Sequence, residues 1–118
     1  MERILYVDDC QADIEYTREL FDGEKIAIDS ANNVDDGMNL LLRRKYAVVI
    51  CDILMPGGNG VAFLKNLPKN NISVPSILTS GVEDFASFES YTGLPDYLGF
   101  ILKPVTPEAI RRLMEKEA

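Results

Sequence analysis

The sequence predicts a single α/β domain in which five parallel strands form an open, doubly wound sheet with helices on both faces. Three observations lead there. Short apolar runs of strand length alternate with segments of helical period from end to end. The run "YAVVICD" is almost continuously apolar, as in a strand buried on both faces. The 118 residues, 47% hydrophobic and 26% charged, suffice for one core and carry no repeat, linker or low-complexity segment.

The elements follow in order. "ILYV" (4–7) is the first strand and stops at Asp8. "QADIEYTRELFDG" places Ile14, Thr17, Leu20 and Phe21 on one helical face, with Gly23 as terminator. "KIAIDS" (25–30) alternates like a strand with one wetter face. Val34, Met38, Leu41 and Leu42 recur at helical spacing behind the capping residue Asn33. "YAVVICD" (46–52) is the third strand, followed by a loop rich in Gly. Val61 to Leu67 reads as a short helix ended by Pro68. "SILTS" (76–80) is the fourth strand, and "VEDFASFESY" (82–91) a helix with Val82, Phe85, Phe88 and Tyr91 on one side. "GFIL" (99–102) is the fifth strand. "TPEAIRRLMEKEA" closes the chain as a helix capped by Thr106, with Pro107 in its first turn.

Strict alternation of strand and helix implies βαβ units with right-handed crossovers. Five strands in this length imply the flavodoxin-like (βα)5 order 2-1-3-4-5. Asp8 and Asp9 then end strand one, Asp52 strand three, Ser80 strand four and Lys103 strand five, all at the carboxyl edge. Between strands one and three the chain reverses direction, which is the crevice where ligands bind in such sheets. That is a reason for an apolar strand to end on Asp52, a group costly to take out of water.

A formal charge of −7 argues against a nucleic-acid surface and against an anionic membrane. No apolar run of signal or transmembrane length is present, so the expected location is cytoplasmic. Histidine is absent, which removes His-based acid–base catalysis, His metal ligands and phosphohistidine on this chain. Cys10 and Cys51 lie in no metal-binding spacing and are expected to be free, buried and inert.

Three carboxylates within a few Å repel one another, and without compensation one takes up a proton. A hard divalent cation compensates. All-oxygen ligands in a partly open site favour Mg2+, which binds through one or two carboxylates plus a phosphoryl oxygen. Asp8 and Asp9 would hold the metal, leaving Asp52 as its neighbour and as nucleophile, since an ionised carboxylate attacks phosphorus without a general base. Lys103, the Ser80 hydroxyl and loop N–H groups would cradle the phosphoryl oxygens. Gly57, Gly58 and Gly60 would let the backbone approach closely.

In this order and at these spacings, "DD" (8–9), "DILMPGGNG" (52–60), "SG" (80–81) and "KP" (103–104) resemble the receiver domain of bacterial two-component response regulators, and the resemblance covers the whole chain, 1–118. It implies that Asp52 is the phosphoacceptor, that Asp9 binds Mg2+ directly and Asp8 through water, and that the Leu54 carbonyl is a further ligand. Ser80 would be the hydroxyl that swings toward the phosphoryl group, with Thr79 in reserve, and Phe100 the aromatic switch. Lys103 would contact the phosphoryl oxygens, and the bond before Pro104 would be cis. The donor would be phosphohistidine on a sensor histidine kinase or phosphotransfer protein, or a small phosphodonor. The output would be a changed surface for a downstream effector protein or output domain. Such a domain promotes only its own phosphorylation and dephosphorylation and is not an enzyme on other substrates. It would be a lone receiver, complete in itself or cut from a larger regulator.

The stretch "YTGLPDYLGF" (91–100) departs from the family pattern, replacing a small Gly-Ala turn with a longer entry into strand five. Blander roles exist for single residues. The acidic pair could cap the first helix, Phe100 could be core, Ser80 a turn residue and Lys103 a solvated charge; their shared edge favours a site. A phosphatase of the haloacid-dehalogenase type would need a second Asp two residues after a nucleophile on strand one, and a cap domain, neither of which "DDC" offers. A flavin module would need a Ser-, Thr- and Gly-rich phosphate loop where "DDCQAD" stands. A scaffold that never takes phosphate would not require the full set of site residues. Leu54 and Val82, two positions after Asp52 and Ser80, are apolar and cannot orient water against an acyl phosphate. A phosphorylated form is therefore expected to last longer than minutes.

Overall fold

The computed structural model describes residues 2–55, 58–81, 93–94 and 96–116. Its elements are β1 (Glu2–Val7), α1 (Gln11–Leu20), β2 (Ile26–Ala31), α2 (Val34–Arg43), β3 (Val48–Asp52), β4 (Leu54–Met55), β5 (Gly58–Asn59), α3 (Gly60–Lys69), β6 (Ser76–Ser80), β7 (Tyr97–Leu102) and α4 (Pro107–Lys116). The five long strands form one parallel sheet in the order β2-β1-β3-β6-β7. With the small antiparallel β4–β5 pair set aside, this is the expected 2-1-3-4-5 order. The helix expected over 82–91 lies outside the described residues.

Successive residues of the central strands feed two separate cores, which is why those strands show no polar alternation. Leu5, Val7, Val49, Cys51 and Leu78 face one side and pack with Leu41 of α2 and Phe63, Leu64 and Leu67 of α3. Ile4, Tyr6, Val48, Ile50 and Ile77 face the other and pack with Ile14 of α1 and Ile110 of α4. Each fully buried aliphatic side chain contributes about 1.5–3 kcal/mol, enough to fix the register of a five-residue strand.

The helix starts follow side-chain capping. Asn33 accepts from the Asp36 amide at 2.8 Å, Asn59 from Ala62 at 2.8 Å, and Thr106 from Ala109 at 3.1 Å. Several boundaries differ from expectation. Pro68 lies inside the last turn of α3, which runs to Lys69; the end closes where the Asn70 and Ile72 amides both reach the Leu67 carbonyl. There Pro68 removes the i→i−4 bond that its N–H would make to the Leu64 carbonyl, and the helix ends one residue later. β2 is half-buried along Ile26–Ser30 instead of alternating, as suits an edge strand. β7 begins at Tyr97 because of a bulge: Ser76 pairs with Tyr97 but Ile77 with Gly99, so Leu98 is extra. Leu42 is 63% exposed and leaves the core face to Gly37 and Leu41. Gly23 sits beyond the end of α1, in a turn at φ +84°.

Candidate phosphoacceptor and metal site

Strand register brings the polar residues to one rim. Val7 pairs with Cys51, Asp52 with Thr79, and Ser80 with Leu102, so Asp8, Asp52, Ser80 and Lys103 end adjacent strands at the same edge. Carboxylate oxygens of Asp8, Asp9 and Asp52 lie within 4.8 Å of one another. Asp8 is fully buried, Asp52 is 6% exposed and Asp9 faces solvent.

Every buried acid is held. Asp8 accepts from the Cys10 amide at 3.0 Å through Oδ1 and from the Tyr6 hydroxyl at 2.7 Å through Oδ2. Asp52 Oδ1 accepts from the Leu54 amide at 3.0 Å. Lys103 Nζ lies 2.6 Å from Asp52 Oδ2, 2.8 Å from Asp8 Oδ2 and 2.7 Å from Asp13 Oδ2, so its three N–H donors face three carboxylates. The cap position of α1 is Cys10, with no side-chain cap bond, so simple helix capping does not account for the acidic pair.

These surroundings shift the titrations. Burial raises the Asp52 carboxyl above its ordinary value, against the hydrogen bonds from Lys103 and Leu54, and Asp8 adds repulsion. Burial works to lower the Lys103 pKa, but the hydrogen bonds to Asp13, Asp52 and Asp8 outweigh it and hold the ammonium well above its usual range. Tyr6 is raised by burial and by donating to Asp8. Cys51, buried next to Asp52, is pushed up by desolvation and stays a thiol.

The other expected site residues fall as follows. The Thr79 hydroxyl donates to the Ile101 carbonyl at 2.6 Å and serves the β6–β7 pairing, whereas Ser80 ends the strand and its carbonyl accepts from the Lys103 amide at 2.9 Å. Leu54 is 56% exposed. Phe100 is half-buried against the α2–α3 core. The Lys103–Pro104 bond is cis. Gly60 packs directly on the Asp52 carbonyl, with no room for a Cβ. Gly57, Val82, Phe85, Phe88 and Tyr91 lie outside the described residues. Both cysteines are free; Cys51 is buried as expected, but Cys10 is exposed because it caps α1 at the surface.

Two contributors escape sequence reasoning. Tyr6 stands two residues before Asp8, on the same strand face, a period-2 relation that was available. Asp13 reads as an ordinary acid in the first helical turn, and only the approach of α1 to the end of β7 gives it a partner. The donor set, three carboxylate oxygens with one acid open to solvent, fits a hard divalent cation.

Fold and site together define a doubly wound α/β module with an acidic, lysine-paired pocket at its topological switch point. The model of the response regulator receiver domain matches residues 4–115, and the chain belongs to that family of two-component signalling modules. Such domains are typically phosphorylation switches and generally regulatory rather than enzymatic. Protein PilH of Pseudomonas aeruginosa is 32% identical over 114 residues, covering 93% of this chain and 92% of PilH. The hydrogenase transcriptional regulatory protein HoxA of Cupriavidus necator is 30% identical over 105 residues, 89% of this chain but 22% of HoxA. The chain thus spans under half the length of the first curated relatives it matches. Response regulator TrrA of Thermotoga maritima, solved in complex with Mg2+-BeF, superposes with a TM-score of 0.81 at 25% identity over 100% of both chains. A complex of TrrA with histidine kinase ThkA gives 0.80 at 26% identity over 98% of this chain and 97% of that one. Among the described residues no helix is long and apolar enough to cross a membrane.

Proposed function

We propose that this receiver domain takes a phosphoryl group onto Asp52 with Mg2+ bound, and thereby changes the surface it presents to a partner. The observation that carries this reading is the placement of Asp52, 2.6 Å from Lys103 and within 4.8 Å of Asp8 and Asp9, at the mouth of the switch-point crevice. An Asp52 carboxylate oxygen attacks phosphorus. The P–N bond of a donor phosphohistidine breaks, and the bond electrons stay with the imidazole, which takes up a proton. Asp8, Asp9, Asp52 and the Leu54 carbonyl would hold Mg2+, which supplies charge neutralisation at the phosphoryl oxygens. Lys103 and the Ser80 hydroxyl bind those oxygens, and Phe100 follows Ser80 as the switch residue.

The TrrA complexes with Mg2+-BeF and with a histidine kinase support the ion and the class of donor. The upstream partner is a sensor kinase or phosphotransfer protein, the downstream one an effector protein or output domain, and the setting cytoplasmic. Intact-mass measurement after incubation with acetyl phosphate and Mg2+ tests the reading: the protein gains one phosphoryl group and Asp52→Asn gains none. An adduct that persists in Asp52→Asn, or none in the wild type with either acetyl phosphate or beryllofluoride, overturns it.

A further inference from the structure

We propose that Asp13 is a positioning residue for Lys103: by taking one of the three ammonium N–H donors, it draws the lysine toward α1 so that a divalent ion and the lysine can share Asp8 and Asp52. This rests on the reading of the site as an Mg2+ site. Lys103 Nζ is 2.7 Å from Asp13, a distance equal within 0.1 Å to those from Asp8 and Asp52. Asp13 is not part of the metal-competent carboxylate trio. Its contact is therefore with the lysine and not with the ion's donor set.

The consequence is a competition. Lys103 and a cation both seek the oxygens of Asp8 and Asp52, and like charges in a partly desolvated pocket repel strongly. Asp13 offers the ammonium a carboxylate that does not belong to the trio. A cavity of about 240 Å³ walled by Tyr6, Asp13, Thr17 and Lys103 leaves the lysine side chain room to lean that way. With the Asp13 charge removed, the ammonium keeps only Asp8 and Asp52 as partners, binds them more exclusively and hinders the cation. Asp13 and Mg2+ affinity are then coupled through Lys103.

A double-mutant cycle read by calorimetric Mg2+ titration tests this. Asp13→Asn is expected to weaken Mg2+ binding about fivefold in the wild-type background. Lys103→Met is expected to tighten it, and Asp13→Asn to have little further effect in the Lys103→Met background. If Lys103→Met does not fold by circular dichroism, Lys103→Gln takes its place. An equal loss in both backgrounds means that Asp13 acts on the ion directly and overturns the proposal. No loss in either background overturns it too. A wild-type protein that takes up no Mg2+ defeats the reading of the site and this inference together, whereas intact Mg2+ binding without coupling defeats the inference alone.

Discussion

Lys103 and Asp52 stand fifty-one positions apart in the chain and 2.6 Å apart in the fold. The pair forms only because β7 and β3 flank β6 in register and end at one rim. Its carboxylate partner is fixed from the other side by the Leu54 amide, so Asp52 has one oxygen on a cation and one on a backbone donor. If Asp52 is the nucleophile, as proposed, it arrives oriented, which is most of what phosphoryl transfer asks of a protein.

That orientation depends on Gly60. A Cβ there would run into the Asp52 carbonyl oxygen and carbon, which are backbone and cannot swing aside. Gly60→Ala should cost about 1–3 kcal/mol in denaturant unfolding and slow Asp52 phosphorylation. Gly81→Ala, with nothing within 4 Å, is the control and should stay within about 0.5 kcal/mol. Equal stabilities for the two variants would refute the packing account.

Much of this was legible in the chain itself. Strand–helix alternation led to the sheet order, and acids and a lysine at strand ends led to the rim, because parallel strands place all their carboxyl ends together. What stayed hidden depends on geometry that no local pattern encodes. Asp13 becomes a site residue only through the packing of α1 near Lys103. The bulge at Leu98 comes from the pairing of β7 with Ser76 and Ile77, and Pro68 sits inside a helix that continues to Lys69 instead of ending it. Leu42 followed the helical pattern yet faces solvent, while Gly37 and Leu41 hold the buried face of α2, with Gly37 close against Val7.

Leu54 is exposed two residues after Asp52, the proposed phosphoacceptor, and offers no side-chain polar atom. A phosphorylated wild type should therefore persist beyond minutes in Mg2+. Leu54→Asn, which can orient a water, should shorten the lifetime about tenfold when phosphate release is followed after removal of the donor. Wild-type release within seconds would sink this expectation.

At the alkaline end, Tyr6 and Lys103 act with the same sign. Both have folded pKa values raised above their unfolded values of about 10 and 10.4. Their contribution is complete below those unfolded values and is lost as pH rises through the folded ones. Stability should fall above about pH 10, less steeply in Tyr6→Phe, which no longer has a phenol to keep neutral. At pH 7 the same variant should be less stable by about 1–3 kcal/mol, because buried Asp8 loses a donor. Urea unfolding across pH 7–11 gives both quantities.

Asp52 acts with the same sign, but in the acid range. Its folded pKa is raised by burial above an unfolded value of about 3.9, so between the two the native state holds more protons than the unfolded state. Without metal, stability therefore declines as pH rises from about 4 through the folded pKa, and the penalty is constant above it. Asp52→Asn lacks this slope. In EDTA the variant should gain on the wild type as pH rises through that window, then run parallel to it. Mg2+ binds the ionised form and stabilises by mass action, so saturating Mg2+ should recover wild-type stability and help Asp52→Asn less. Melting curves at several pH values, with EDTA and with Mg2+, decide the matter: a wild-type minus variant difference independent of pH would mean that burial of Asp52 leaves its titration untouched.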